Sequence, residues 1–169
     1  METSSSLGLM FNMRIGYSED IHPIKKGREL HLGGVYFPNY PGLDGHSDAD
    51  VVLHAVAESI LGALAKGDLG DHFPDNDPEF KGKDSAYFVR YAKDLMEKEA
   101  YRIGNIDIQI ACKSPKLKDY KHQIKENIAG LLDTNSENVS VKAMSYNSIG
   151  PIGKGEAIKA TSVVLLERK

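Results

Sequence analysis

An α+β sandwich, with helices on one face of a mixed sheet, is the fold class the sequence predicts, and three patterns predict it. Period-two alternation recurs in short runs towards both ends of the chain, apolar residues at helical spacing recur between those runs, and glycine, proline and aspartate punctuate the boundaries. Arg14-Ile15-Gly16-Tyr17, Leu30-His31-Leu32 and Val35-Tyr36-Phe37 read as short strands, with Lys25-Lys26-Gly27 and Gly33-Gly34 as turns. From Asp48 onward, Leu53, Val56, Ile60, Leu61 and Leu64 keep helical spacing, so Ser47 or Asp48 is the expected N-cap and Gly67 the stop. Residues 68–83 hold two prolines, two glycines and many carboxylates and are expected to form a long surface loop. A second helix is expected over about 85–100, capped by Asp84, followed by a strand in which Ile106, Ile108 and Ile110 alternate. A third helix near 120–132, a strand over 139–143 and a closing strand over 157–166 complete the order.

The chain has 169 residues, 41% hydrophobic and 27% charged, a balance that suits one compact domain over 13–169. The Ser-rich residues 1–12 lack the basic start and long apolar stretch of a secretory signal; they are read as a disordered extension, and Met10 and Met13 are alternative starts. A net charge of -3, with Lys and Arg scattered among acidic residues, argues against nucleic acid as a partner. No apolar run reaches the 18 or so residues of a membrane-spanning helix, so no membrane partner is expected. The single cysteine, Cys112, excludes an intrachain disulfide and fits a reducing compartment: the cytoplasm, or an organelle stroma if the source is a plastid-bearing eukaryote.

Asp20 and His22 stand two apart in a segment read as extended, so their side chains share a face. His54 interrupts an otherwise apolar helix, and an imidazole buried there needs a polar partner. Two imidazoles and one carboxylate suit a zinc ion with an open fourth position. Spacing alone leaves the alternative open, because Asp-x-His and lone helix histidines also occur without metal. His46 and Ser47 precede the first helix, where free N–H groups and the helix dipole favour a phosphate; simple capping by Ser47 explains the same residues.

Ordered motifs extend the reading. Arg14-Ile15-Gly16 with Asp20-x-His22, Leu43-x-x-His46-Ser47-Asp48-Ala49-Asp50-Val51-x-x-His54-Ala55, Gly67-Asp68-Leu69-Gly70-x-x-Phe73-Pro74-Asp75-x-Asp77 and Phe80-Lys81-Gly82-x-Asp84-Ser85 are followed by Gly104-Asn105-Ile106-Asp107, Ser114-Pro115-Lys116, Val141-Lys142-Ala143 and Gly153-Lys154-Gly155-Glu156. Together they resemble the 2-C-methyl-D-erythritol 2,4-cyclodiphosphate synthase family of the non-mevalonate isoprenoid pathway, over about 14–166. The resemblance implies a ferredoxin-like α/β sandwich, with a mixed four-stranded sheet, helices on one face and a small β-hairpin, assembled as a homotrimer with interfacial active sites. It implies zinc on Asp20, His22 and His54, and a nucleotide-linked substrate that closes to a cyclic diphosphate and expels CMP, a phosphorus-oxygen lyase reaction. By the same resemblance His46 and Ser47 are phosphate-contacting residues and His46 and Ser145 are catalytic. Asp68, Gly70 and Phe73 belong to the pocket for the methylerythritol unit, though Asp68 and Gly70 equally suit a turn and Phe73 a core anchor; Asp75 binds substrate, Lys81 lies near the anionic end, and Pro115, Lys116, Leu117 and Ala143 wall the cytidine pocket, with Ser145 also touching substrate. Ile149-Gly150-Pro151-Ile152-Gly153 resembles the lining of a cavity on the trimer axis, though packing between subunits explains that composition equally well.

The chain departs from the family pattern in four places. Tyr17 stands where the family usually has His, Met144-Ser145-Tyr146 where it has threonines, Asn147 where it has Glu, and Lys154 where it has Arg. Met144 lacks a hydroxyl to position phosphates, a role part of which Ser145 can carry. The family Glu implies a second metal, Mg2+ or Mn2+; Asn147 is neutral and a poorer ligand for a hard cation. Two readings follow: an active synthase, or a catalytically impaired zinc- and cytidine-nucleotide-binding member with a regulatory or structural role.

Overall fold

A computed structural model of the protein describes residues 13–45, 47–74 and 82–169. The expected extension over 1–12, together with His46, Asp75 and Lys81, lies outside the described residues. The order begins β1 (Met13–Lys25), β2 (Leu30–Leu32), β3 (Val35–Phe37), β4 (Gly42–Leu43), α1 (Val51–Ala63), α2 (Leu69–His72) and α3 (Ala86–Lys98). It continues with β5 (Tyr101–Ala111), α4 (Lys121–Leu132), β6 (Val139–Met144), α5 (Gly150–Lys154) and β7 (Ala157–Arg168). The main sheet runs β4-β1-β7-β5-β6, parallel only between β5 and β6, and β2 with β3 forms a separate hairpin. The α+β class and the hairpin are those expected, but the sheet has five strands rather than four. The extra one, β4, pairs two residues with Ile24 and Lys25 and is too short to show alternation in sequence.

Alternation sorts the long strands into two faces. Ile106, Ile108 and Ile110 of β5, with Ile158, Ala160, Ser162, Val164 and Leu166 of β7, are fully buried on one face. On that face α1 lies across β1 and β7, α4 packs on β6, and α3 packs against both helices. The other face carries Met13, Ile15, Tyr17, Ile21 and Val163, all exposed.

Three helix boundaries differ from expectation, the first being that of α3, whose N-cap is Ser85 and not Asp84. The N-cap of α1 is Asp50, not Ser47 or Asp48: its carboxylate accepts the N–H groups of Val52 and Leu53, and also those of Gly33 and Gly34. Within the expected loop 68–83, the chain closes a helical turn, because Asp68 and Asp71 form a reciprocal capping box around α2.

Candidate metal centre

The centre arises from a match of repeats between α1 and β1. Four residues of helix advance about 6 Å and two residues of strand about 6.6 Å, so one face of α1 keeps step with one face of β1. His54 meets Asp20, and four residues on Glu58 accepts the Ser18 hydroxyl at 2.6 Å. Further along, Gly16 lets the backbone of α1 come close at Ser59 and Ala63. His22 follows Asp20 on the same strand face.

Asp20 Oδ2 lies 3.0 Å from His22 Nε2 and 3.0 Å from His54 Nδ1. Ligand atoms of the three residues all fall within 4.8 Å of one another, and among the described residues this is the group able to hold a metal ion. The outward nitrogens are partnered as well. His22 Nδ1 lies 2.5 Å from the Asp44 carbonyl, which can only accept. A neutral His22 that donates there keeps its Nε2 lone pair facing inward. His54 Nε2 lies 2.9 Å from both Ser47 Oγ and Ser85 Oγ. Two imidazoles and a carboxylate converging from one side, with their far nitrogens already bonded, fit a tetrahedral cation with one open position.

A cation would displace the protons that the two inward nitrogens otherwise donate to Asp20, a carboxylate that can only accept. Burial raises the carboxyl of Asp20, but hydrogen bonds from His22 and His54, and their charges, outweigh it and hold Asp20 well below the usual range. His22 is raised, first by its hydrogen bond to Asp20, against the opposing effect of burial, and further by the Asp20 charge and Asp44.

The remaining predicted residues fall into two groups. Ser47 is buried, and its oxygen accepts the Ala49 N–H as well as meeting His54. The anion niche expected at the start of α1 is occupied from within, since the Asp50 carboxylate takes its free N–H groups. Asp68, the N-cap of α2, and Gly70 within it are exposed, whereas Phe73 is buried with its ring 4.8 Å from those of Phe88 and Tyr91. At the other edge of the sheet, β5 and β6 run parallel and end side by side, tied by Cys112 N–H to the Met144 carbonyl. Just beyond the end of β5 lie Pro115 and Leu117, both buried, and exposed Lys116; exposed Ala143 lies at the end of β6 and half-buried Ser145 just beyond it. The register Ile21, Lys159, Ala111, Met144 puts this wall at the same end of the sheet as Asp20 and His22 but three strands away, about 14 Å. Tyr146, Asn147 and Ser148 follow it in a left-handed turn.

Sequence reasoning places Ser85 and Asp48 at helix starts and does not anticipate them beside His54. The available signal is that each falls inside a quoted motif. Ser85 Oγ donates to Asp48 Oδ1 in a short hydrogen bond, and the Ser85 N–H donates to Asp48 Oδ2 at 3.0 Å.

Known proteins resemble this chain in sequence and in fold. The model of the YgbB family matches residues 13–167. A 2-C-methyl-D-erythritol 2,4-cyclodiphosphate synthase of Solibacter usitatus is 46% identical over 159 residues, 94% of this chain and 100% of that one. The synthase of Geobacter metallireducens is 47% identical over 157 residues, 93% of this chain and 100% of that one. Among solved structures, IspF of Plasmodium falciparum in complex with CDP has a TM-score of 0.83 at 38% identity, covering 94% of this chain and 97% of that one. The bifunctional IspDF of Campylobacter jejuni reaches a TM-score of 0.89 at 36% identity; 93% of this chain matches 42% of that one. No helix among the described residues is long and apolar enough to cross a membrane. By motif order, fold and near-full-length similarity, the chain belongs to the YgbB family, that of the 2-C-methyl-D-erythritol 2,4-cyclodiphosphate synthases.

Proposed function

We propose that the chain converts 4-diphosphocytidyl-2-C-methyl-D-erythritol 2-phosphate to 2-C-methyl-D-erythritol 2,4-cyclodiphosphate and CMP, a phosphorus-oxygen lyase reaction. The observation that carries this is the convergence of Asp20, His22 and His54 on one point, in a chain whose relatives bear that enzyme's name. An oxygen of the 2-phosphate forms a bond to the β-phosphorus, and the bond from the β-phosphorus to the bridging oxygen breaks, that oxygen and its electron pair staying on the α-phosphate and leaving as CMP. Holding the two phosphates in line supplies most of the acceleration in such an intramolecular transfer. Asp20, His22 and His54 would hold a zinc ion, which when bound polarises the β-phosphate as a Lewis acid. Ser47, Asp68, Gly70 and Phe73 are assigned to the phosphates and the methylerythritol unit, and His46, Asp75 and Lys81 to the substrate as well. Pro115, Lys116, Leu117 and Ala143 are assigned to the cytidine, and Ser145 to phosphate positioning.

We infer a homotrimer with sites between subunits. The face of the sheet away from the helices supports it, since Ile15 is 73% and Tyr17 60% exposed in an apolar stripe of the kind that subunit contacts cover. The separation of the nucleotide wall from the histidines in one chain gives a neighbour's wall room to complete the site. CMP release from the diphosphocytidyl substrate, lost in His22→Ala, is the test; no turnover with zinc and magnesium present would refute it.

A second reading, an impaired member that keeps zinc and nucleotide binding, is favoured by one observation. Met144 offers only a thioether, engaged by Gln109 Nε2 at 3.3 Å, and Asn147 offers no charge for a second metal, Mg2+ or Mn2+. Asn147 has φ of 47°, a conformation asparagine tolerates better than glutamate. A large rise in rate in Met144→Thr/Asn147→Glu would favour this second reading.

A further inference from the structure

We propose that Ser85 and Asp48 are positioning residues of the metal centre, which fix the His54 tautomer so that Nδ1 offers its lone pair to the cation; this rests on the metal-binding reading above. Contact with two serine hydroxyls does not by itself decide that tautomer, because a hydroxyl donates or accepts. Ser85 is different from Ser47 in what happens to its one proton. Its Oγ donates to Asp48 Oδ1, and an ionised carboxylate can only accept. With that proton committed, Ser85 Oγ can take part in its 2.9 Å contact with His54 Nε2 only as acceptor. Nε2 therefore carries hydrogen, and once a cation takes the place of the Nδ1 proton that Asp20 would otherwise accept, the ring is neutral with Nδ1 bare, facing Asp20 and His22.

Asp48 is itself held. The Ser85 N–H donates to its Oδ2 at 3.0 Å and the Asp50 N–H to its Oδ1 at 3.1 Å, and Ser85 is fully buried, so water does not compete. Ser47 supplies the reason such a bias is needed. Its oxygen accepts from Ala49, and its proton has two possible acceptors, Ser85 Oγ at 3.4 Å and His54 Nε2; donation to Nε2 would put hydrogen on Nδ1, where the cation belongs. The Asp48–Ser85 pair suppresses that alternative. It also links a ligand on α1 to the first residue before α3, 31 positions away.

Ser85→Ala isolates the effect, because the Ser85 side chain makes no cap bond to α3 and its N–H stays with Asp48. Zinc affinity of the full chain is measured by competition with a chromophoric chelator, for wild type, Ser85→Ala, Ser85→Thr and Asp48→Ala, with circular dichroism as the folding check. The His54 Nε2–H resonance is followed by NMR in the zinc-loaded proteins. The expected result is stoichiometric zinc in wild type, affinity weakened about 10- to 100-fold in Ser85→Ala, near-full recovery in Ser85→Thr, and an Nε2–H proton that exchanges slowly in wild type and fast in Ser85→Ala. Affinity in folded Ser85→Ala within twofold of wild type, with the same slow proton, would overturn the proposal while leaving the metal site standing. If Ser85→Ala does not fold, Asp48→Ala decides by the same criterion. A wild-type protein that binds no zinc would overturn the metal reading and this inference together.

Discussion

Substituting Gly16 by alanine tests the seating of α1 on β1, on which the whole centre depends. A Cβ at Gly16 would lie 1.8 Å from the Ser59 carbonyl oxygen, 2.8 Å from Ala63 N and 2.9 Å from Ala63 Cβ. Real Cβ contacts almost never fall under 3.0 Å, so a contact at 1.8 Å requires α1 to retreat by about 1.2 Å, and the obstacle is helix backbone, which has no rotamer to change. Overpacking typically costs about 1–3 kcal/mol, and a backbone clash belongs at or beyond the upper end, so a loss of about 3 kcal/mol is expected. His54 lies five positions before Ser59 on the same rigid helix, whereas ligand distances tolerate only about 0.2 Å, so zinc affinity should fall at least about tenfold too. Gly62 is the internal control: its Cβ would meet nothing closer than the Tyr17 oxygen at 4.0 Å, and Gly62→Ala should stabilise α1 by about 0.5–1 kcal/mol. Urea titrations read at constant m, with chelator competition on the same samples, measure both quantities. A Gly16→Ala protein within about 1 kcal/mol of wild type, or a Gly62→Ala protein as damaged as it, would refute this account of the packing.

Asp50→Ala should cost about 3–5 kcal/mol in the same urea assay, since it removes the α1 cap and leaves the N–H groups of Gly33 and Gly34 without their acceptor. Zinc at about a hundred times its dissociation constant should add about 2.7 kcal/mol of stability, read as a rise in Tm, and His22→Ala should abolish that increment. Burial pushes the Cys112 thiol up to about 11, so its thiolate is scarce near neutrality and grows only as pH climbs towards that value. Alkylation by iodoacetamide at pH 8, followed by mass spectrometry, should run far slower than for a free cysteine, and a rate equal to that of the free amino acid would contradict the burial.

What could be read in the sequence is what local periodicity encodes. Asp20 and His22 declare a shared face by standing two apart, and His54 declares itself by interrupting an apolar helix; their meeting requires only that α1 cross β1 in step. The cap of α1 was illegible for the opposite reason. Ser47, Asp48 and Asp50 are all good caps within four residues, and Asp50 takes the position because Gly33 and Gly34, far back in the chain, present two more N–H groups to the same carboxylate. Asp48 is then free for Ser85, a bond across 37 residues that no window of sequence contains. The turn of α2 was hidden because Pro, Gly and Asp signal a loop, while the reciprocal Asp68–Asp71 bonds close a helical turn within it. The three metal-facing side chains are thus placed by strand and helix period, whereas the serine and aspartate behind His54 are placed by tertiary contact. The two should respond differently to mutation: moving the period, as at Gly16, dislocates all three ligands at once, but deleting the Ser85 hydroxyl leaves them in place and alters only how His54 is presented.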